Sequence, residues 1–304
     1  MPEGSKILYL QSHEINRSLW DNCINMACNR LVYAQSVYLD HMADNWDALV
    51  LDNYEAVMPL PWRRKSGFYY LYQPFLTAQL GLFSASVNKE LLKKFLSAIP
   101  KKFSLWEFPL NHDNRFAIEG FELYERKNYI LNLSPEYDLI IKNFRENTRR
   151  NIKRCLQYGC YGKNDIDIED VISLAGYQNS PIRTSDIKNF KNLYKHFQEK
   201  DQAICYGVFS SRHELIASAA FVFSYNRAYY ILVGNHPNGR TLGASHLLID
   251  HFIKEHSGNE LFLDFEGSDI RNLAFFYSSF GAKEENYMAI RLNRLPWYVR
   301  LFKR

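Results

Sequence analysis

Two neighbouring segments carry side chains that could transfer protons. Glu266 follows a predicted strand at 261–265, and Tyr277 lies on a predicted helix at 270–280. A carboxylate can take a proton from an attacking amine, and a phenol can give one to a departing group. Asp264 is expected to share a strand face with Glu266, because alternate residues of a strand point the same way. The alternatives are a helix-capping network for the carboxylates, which we favour for Asp264, and core burial for Tyr277.

A glycine-containing turn leads from a predicted strand at 228–233 into a predicted helix at 242–256. The first N–H groups of a helix lack intrahelical partners, and with the helix dipole they favour a bound phosphate or pyrophosphate. An arginine in the turn could add a charge-assisted hydrogen bond. The predicted phosphate-binding residues are Arg240, Leu242, Gly243, Ala244 and Ser245. The turn matches neither the P-loop nor the dinucleotide fingerprint, so an ordinary turn is the alternative.

Other segments could bind a second substrate. The basic segment at 144–154 could hold phosphates or an anionic polymer, although such a run is often only a solvated helix face. The candidates for substrate binding are Arg145 in this segment and Tyr72, Gln73 and Gln79 in the aromatic, turn-rich segment at 70–81. For the last three, strand-end packing and turn formation are the alternatives.

The histidines and cysteines form no metal or disulfide pattern. His246 and His251 miss the four-residue spacing of a two-histidine metal face on a helix. The 5 cysteines are an odd number and argue against a disulfide framework. We therefore expect no metal site and no tightly bound cofactor.

The order of predicted elements indicates a mixed α/β fold with two domains. Strands are expected at 7–11, 46–51, 54–60, 68–72, 103–108, 121–133, 204–209, 215–223, 228–233, 261–265 and 286–292. Helices are expected at 13–31, 88–99, 134–157, from 184 onward, at 242–256 and at 270–280, with a loop at 159–183 that a short segment at 166–172 interrupts. A similar order restarts after Ser134-Pro135, where proline suits the first turn of a helix. We therefore predict domains at 1–133 and 134–304, joined by the long helix.

Composition excludes several classes of protein. The chain has 304 residues, of which 47% are hydrophobic and 23% charged, so intrinsic disorder is not expected. The apolar runs are too short for a spanning helix, and no signal peptide is recognisable at the start, so the cytoplasm is the expected location. The aromatic, basic end at 295–304 leaves peripheral membrane contact open. A net charge of +4 is mild, and a nucleic-acid partner is not expected.

Four segments resemble motifs of one superfamily. Residues 240–245 (Arg-Thr-Leu-Gly-Ala-Ser) resemble the acyl-CoA pyrophosphate loop of the GNAT acyltransferases, with Ser245 where Gly or Ala is usual. Residues 277–281 (Tyr-Ser-Ser-Phe-Gly) resemble the Tyr-x-x-Leu-Gly helix of that superfamily. Residues 264–268 and the Arg-rich segment at 144–153 resemble segments of its tandem FemAB/FemX-like branch, also called BioF2-like.

The resemblance implies two tandem GNAT-like domains, each a mixed, mostly antiparallel sheet flanked by helices. It implies an acyl- or aminoacyl-transferase whose C-terminal domain binds acyl-CoA as cosubstrate and whose N-terminal domain serves the acceptor. An amine, for which a cell-envelope precursor is one candidate, would lie in the crevice between the domains. Glu266 would help to remove its proton, and Tyr277 would protonate the departing thiolate. An aminoacyl-tRNA donor stays open. The alternatives are a non-catalytic binding protein for an anionic glycan precursor or a protein partner, and an RNA-binding module.

Overall fold

The computed structural model describes residues 6–176, 182–267 and 269–297. They form two compact units: the first spans Met1–Arg126 together with Asn286–Arg304, and the second spans Lys127–Glu285. Ser268 and residues 177–181 lie outside the described residues, as does most of the C-terminal segment at 295–304. Among the residues that are described, no helix combines the length and the apolar character needed to cross a membrane.

Runs of strands and runs of helices follow one another along the described residues. The strands are β1 (Ile7–Leu10), β2 (Trp46–Leu51), β3 (Ala56–Lys65), β4 (Phe68–Tyr72), β5 (Phe83–Ser84), β6 (Phe103–Pro109), β7 (Glu122–Arg126), β8 (Tyr129–Asn132), β9 (Tyr161–Asn164), β10 (Ala203–Phe209), β11 (Leu215–Ser224), β12 (Arg227–Asn235), β13 (Phe262–Asp264), β14 (Lys283–Glu284) and β15 (Tyr287–Asn293). The helices are α1 (Arg17–Met26), α2 (Ser36–Met42), α3 (Lys89–Ala98), α4 (Tyr137–Ile140), α5 (Glu146–Gln157), α6 (Ile168–Ala175), α7 (Thr184–Gln198), α8 (Pro237–Leu242), α9 (Ala244–His256) and α10 (Arg271–Ser278). Short 3₁₀ helices lie at Ser12–Glu14, Val32–Ala34 and Ile141–Asn143.

The first unit is built on an 8-stranded sheet in the order β1-β2-β3-β4-β6-β15-β7, with β5 paired to β3. All of its strand pairs are antiparallel except β4 with β6. The amphipathic helix α3 begins at the N-cap Asn88 and buries its apolar face in the core of this unit. Because β15 pairs with both β6 and β7, the segment after Asn286 belongs to this unit. The division therefore differs from the predicted boundary between 133 and 134.

The second unit is built on a 7-stranded sheet in the order β14-β8-β13-β12-β11-β10-β9. Only β12 and β13 are parallel. Helix α9 packs on one face, where the ring of Phe252 stacks on Phe221 with 3.9 Å between centroids. Helix α6 covers the opposite face, where it contacts β11 and β12. The predicted class, two mixed and mostly antiparallel sheets flanked by helices, is confirmed.

The single long helix predicted at 134–157 is wrong. The chain forms α4, a 3₁₀ turn and α5, separated by an extended residue, Phe144, with φ −66° and ψ 135°. Phe144 is buried edge-to-face against Phe280, and the N–H of Arg145 donates to the carbonyl of Ser279 at 2.8 Å. Packing against the end of α10 therefore outweighs the local preference for a continuous helix.

Three other predicted segments are shorter or more structured than expected. The helix predicted at 13–31 is reduced to α1, and its N-cap is Asn16. The loop predicted at 159–183 contains β9 and α6. The glycine-containing turn contains the short helix α8, so the helix predicted at 242–256 is preceded by another.

Candidate functional site

The parallel strands β12 and β13 of the second unit separate after a short pairing. Arg227, Ala228 and Tyr229 pair with β13, whereas residues 230–235 of β12 extend beyond its end at Asp264. On its other side β12 pairs with β11, and a register shift there leaves Ile231 as an extra residue, a β-bulge. Bulges occur often beside active sites, where they re-aim backbone groups. The backbone of β12 beyond Tyr229 is therefore not part of the ladder with β13.

Tyr277 lies where these strands separate. Its ring stacks on Phe265 with 4.7 Å between centroids and meets Tyr230 edge-on at 6.5 Å. Burial, and secondarily the charge of Glu266, raise the pKa of the Tyr277 hydroxyl far above its usual value. The structure therefore brings Glu266 and Tyr277 within electrostatic reach of each other. The phenol is protonated at neutral pH, as a proton donor must be.

Glu266 is held by its backbone in an unusual conformation. Its φ is +60°, and the following Gly267 has φ +82°, so the chain turns sharply after β13. The N–H of Glu266 donates to Oδ1 of Asp264 at 2.9 Å. Because β13 ends at Asp264, the prediction that Asp264 and Glu266 share a strand face is wrong.

Asp264 has a structural role. It is only 1% exposed, and its Oδ2 accepts a hydrogen bond from Nη1 of Arg227 at 2.8 Å. Arg227 also binds the carboxylate of Glu285, with Nη2 2.7 Å from Oε1. Burial raises the pKa of Asp264, and the guanidinium of Arg227 opposes that rise. Asp264 is thus structural, as favoured from the sequence, but its hydrogen bonds among the described residues are with Arg227 and the N–H of Glu266 and are not the predicted helix-capping contacts.

The predicted phosphate turn contains a helix end and a helix start. Arg240 and Leu242 lie on α8, and α9 begins at Ala244. Gly243 joins the two helices with φ +85°, and a Cβ there would lie 3.0 Å from Cβ of Asn151. Glycine is therefore required by both conformation and space. The hydroxyl of Ser245 donates to the side chain of Asn235, which ties the first turn of α9 to the end of β12.

His246 and Asn151 beside this turn were not predicted as site residues. The amide Nδ2 of Asn151 is 3.4 Å from Nε2 of His246, and its Oδ1 accepts from Nη2 of Arg154 at 2.8 Å. Burial and the Arg154 guanidinium lower the pKa of His246 to about 4, so the imidazole is neutral. The sequence signal was the position of His246 directly after Ser245. Asn151 gave no signal, because only the packing of α5 on α9 brings it here.

The four predicted substrate-binding residues lie in different places. Tyr72 and Gln73 line a cavity of about 610 Å³ in the first unit. Gln79 is 1% exposed, and its Oε1 accepts from the N–H of His112 at 2.8 Å, so it supports a turn. Arg145 belongs to the second unit, where its guanidinium lies 4.6 Å from the ring centroid of Phe275. Within the described ranges, no group of three or more His, Cys, Asp and Glu side chains could hold a metal ion.

Comparisons with known proteins identify the fold. No protein-family model matches the sequence, and no curated protein matches it. The chain is similar to a crystal structure of FemX, with a TM-score of 0.66 and 12% identity over 98% of this chain and 100% of that one. It is similar to a conserved protein of unknown function from Bacteroides thetaiotaomicron VPI-5482, with a TM-score of 0.60 and 13% identity over 94% of this chain and 100% of that one. It is also similar to a tandem GNAT protein from the clavulanic acid biosynthesis pathway, with a TM-score of 0.55 and 7% identity over 96% and 99% of the two chains. The predicted GNAT/FemX-like tandem fold is confirmed.

Proposed function

We propose that this protein is an acyl- or aminoacyl-transferase that moves an acyl group from a thioester or ester donor, acyl-CoA in the first instance, to an amine. The observation that carries the proposal is the separation of β12 and β13 directly beside Glu266 and Tyr277. The fold adds support by analogy only, because one fold can host many functions.

The donor is proposed to lie along residues 230–235 of β12, with its phosphates at residues 240–245. The amide groups of a pantetheine arm could pair with β12 on the side where it extends beyond β13, and Arg240 could bind a phosphate oxygen. Holding the carbonyl beside the acceptor is itself a large part of such catalysis.

The reaction needs one bond made, one broken and two proton transfers. The amine nitrogen attacks the donor carbonyl carbon, and the C–S or C–O bond to the leaving group breaks. Glu266, directly or through a water, takes the proton that the amine loses. Tyr277 gives its phenolic proton to the departing sulfur or oxygen, and the protons then redistribute through solvent.

The acceptor is proposed to be a primary amine of a cell-envelope precursor. Tyr72, Gln73 and Arg145 each stay a predicted substrate-binding residue. The buried hydrogen bond of Gln79 argues for a structural role instead.

A second candidate, a non-catalytic binding protein for an anionic glycan precursor or a protein partner, is favoured by one observation. Ala244, whose N–H belongs to the proposed phosphate turn, is 0% exposed, so a phosphate reaches that N–H only after a local movement. Such a protein would keep the fold but would no longer bind an acyl donor or transfer its acyl group.

A donor screen separates the two candidates. Thermal unfolding is followed with acetyl-CoA, longer acyl-CoAs and free CoA. A ligand at 100 times its Kd stabilises by about 2.7 kcal/mol, which raises the Tm by roughly 5–10 °C for a unit of this size. Arg240→Gln should reduce the shift, whereas Lys188→Gln, a matched loss of an exposed cation on α7, should not. No shift with any CoA compound, and no acyl transfer from charged tRNA, would leave the binding-protein candidate.

A further inference from the structure

One face of the first unit's sheet carries aromatic and charged side chains. On β4, β6, β7 and β15, alternate residues point into the hydrophobic core, among them Leu71, Trp106, Leu123 and Ile290. The residues between them point to the opposite face. The strand registers bring Tyr70 beside Leu105, Tyr72 beside Glu107, and Pro109, Ala289 and Tyr124 into one row.

This face forms a cavity of about 610 Å³, which is within the usual range for small-molecule sites. Most of the side chains that line it are apolar or aromatic. They include Phe68, Tyr70, Tyr72, Leu105, Tyr124 and Leu295. Phe68, Tyr70 and Tyr72 occupy every second position of β4, so the aromatic stripe is roughly 13 Å long at about 3.3 Å per residue. The cavity therefore suits an elongated, largely apolar molecule.

The charged side chains that line the cavity are Lys65, Arg126 and Glu107, a formal charge of +1. Arg126 lies at the end of β7, and its Nη1 donates to Oε1 of Gln73 at 3.0 Å, which orients the guanidinium. Lys65 adds a second cation at the β3–β4 turn. The carboxylate of Glu107 accepts from Nη2 of Arg291 at 3.0 Å, so its charge is largely offset within the sheet. A ligand that complements this surface carries a negative group.

We propose that this cavity binds an amphipathic anion. The apolar or aromatic body of the ligand lies along Phe68 and Tyr70 of β4 and Tyr124 of β7, and its carboxylate or phosphate pairs with Arg126. Tyr72 contributes less, because it is only 7% exposed and the guanidinium of Arg63 lies 3.9 Å from its ring centroid. The site lies within the first unit and includes Tyr72 and Gln73, the residues proposed for the acceptor, so the two assignments compete for these side chains; the anion assignment itself rests on the cavity and not on the transferase.

The test measures binding of decanoate, whose extended length matches the aromatic stripe, to the full chain by isothermal titration calorimetry. The neutral analogue 1-decanol and the cation decyltrimethylammonium are the comparison ligands. We expect saturable binding of one decanoate per chain, and affinity at least tenfold weaker for both comparison ligands, because charge-assisted pairing is lost. Equal affinity for decanoate and decanol, or no saturable binding, overturns the proposal.

Variants locate the site. Arg126→Gln should weaken decanoate binding about tenfold or more, and Lys101→Gln, the loss of an exposed cation outside the cavity, should leave it unchanged. Because Arg126 also contributes to the fold, a second pair is used: Tyr70→Ala should weaken binding, and Tyr70→Phe, which keeps the ring, should retain it. Glu107→Gln should strengthen binding a few-fold, because it removes a negative charge. Variants of Arg126 and Tyr70 that fold and bind decanoate like the parent overturn the proposal.

A last arm separates a free amphiphile from a lipid headgroup. Phosphatidylglycerol vesicles are sedimented with the protein in the presence and absence of decanoate. Vesicle binding without binding of monomeric decanoate overturns the cavity assignment. Failure of the CoA screen leaves the decanoate result standing, so the two proposals fail independently.

Discussion

Replacing Arg227 with Met tests whether a buried charge network holds the candidate active site. The guanidinium binds Asp264, which is 1% exposed, and Glu285, at 2.8 and 2.7 Å. Arg227→Met leaves Asp264 buried without a counter-ion. Removing one partner of a buried pair costs about 3–5 kcal/mol, which corresponds to a Tm lower by roughly 6–20 °C.

The loss of stability should depend on pH with a definite sign. Burial already raises the pKa of Asp264 in the folded protein, and losing Arg227 raises it further. An acid whose folded-state pKa exceeds its unfolded value destabilises the fold as pH rises above the unfolded value of about 3.9. The deficit of the variant should therefore be small near pH 4 and largest at neutral pH.

The assay is denaturant unfolding at pH 4.5 and pH 7.5, with two controls. Asp264→Asn added to Arg227→Met should recover much of the loss, because the amide can stay buried without a charge. Lys195→Gln breaks an exposed pair with Glu199, whose side chains are 75% and 65% accessible, and should change stability little. A deficit for Arg227→Met that is equal at both pH values, or as small as that of Lys195→Gln, would refute the reasoning.

Three further outcomes are expected. Glu266→Gln should lower turnover about 10²–10⁴-fold, and the deficit in a pH–rate profile should ease at higher pH, where more of the acceptor amine is unprotonated. Tyr277→Phe keeps the ring contacts with Phe265, so calorimetry should give a near-parental Tm and unchanged donor binding while turnover falls. A lower Tm with unchanged turnover per folded molecule would instead assign a structural role in the core to Tyr277. Gly243→Ala should lower the free energy of unfolding by about 1–2 kcal/mol in denaturant titrations, because the φ of this residue is +85° and Asn151 lies close to the added methyl group. An unchanged free energy of unfolding would contradict this explanation.

The parts of the fold that the sequence predicts are those fixed by local pattern. The hairpin of β2 and β3 and the helix α3 follow from alternation, turn residues and amphipathic spacing. The break in the helix at Phe144 does not follow from local pattern. It is stabilised by a hydrogen bond from the N–H of Arg145 to the carbonyl of Ser279, which is far along the chain. The return of β15 to the first sheet is also non-local, since its hydrogen bonds are made with β6 and β7.

The candidate site divides in the same way. Glu266, Tyr277 and the glycine of the phosphate turn could be singled out from residue type and spacing, although their chemistry stays a prediction. The positive φ of Glu266 and the neutral state of His246 could not be predicted from the sequence, because both depend on tertiary contacts. Asn151 illustrates the limit, since nothing around it in the sequence distinguishes it from other polar helix positions.

One carboxylate connects strand pairing with the proton-transfer residues. The pairing of β12 and β13 stops at Asp264, where one carboxylate oxygen accepts from Arg227 and the other from the N–H of Glu266. The side chain thus replaces the next ladder bond and turns Glu266 out of the strand. Phe265, whose N–H still donates to the carbonyl of Tyr129 on β8, lies between Asp264 and Glu266 in the chain and stacks on Tyr277. The end of the β12–β13 pairing and the backbone of Glu266 therefore meet at Asp264, and Asp264→Ala should disturb both.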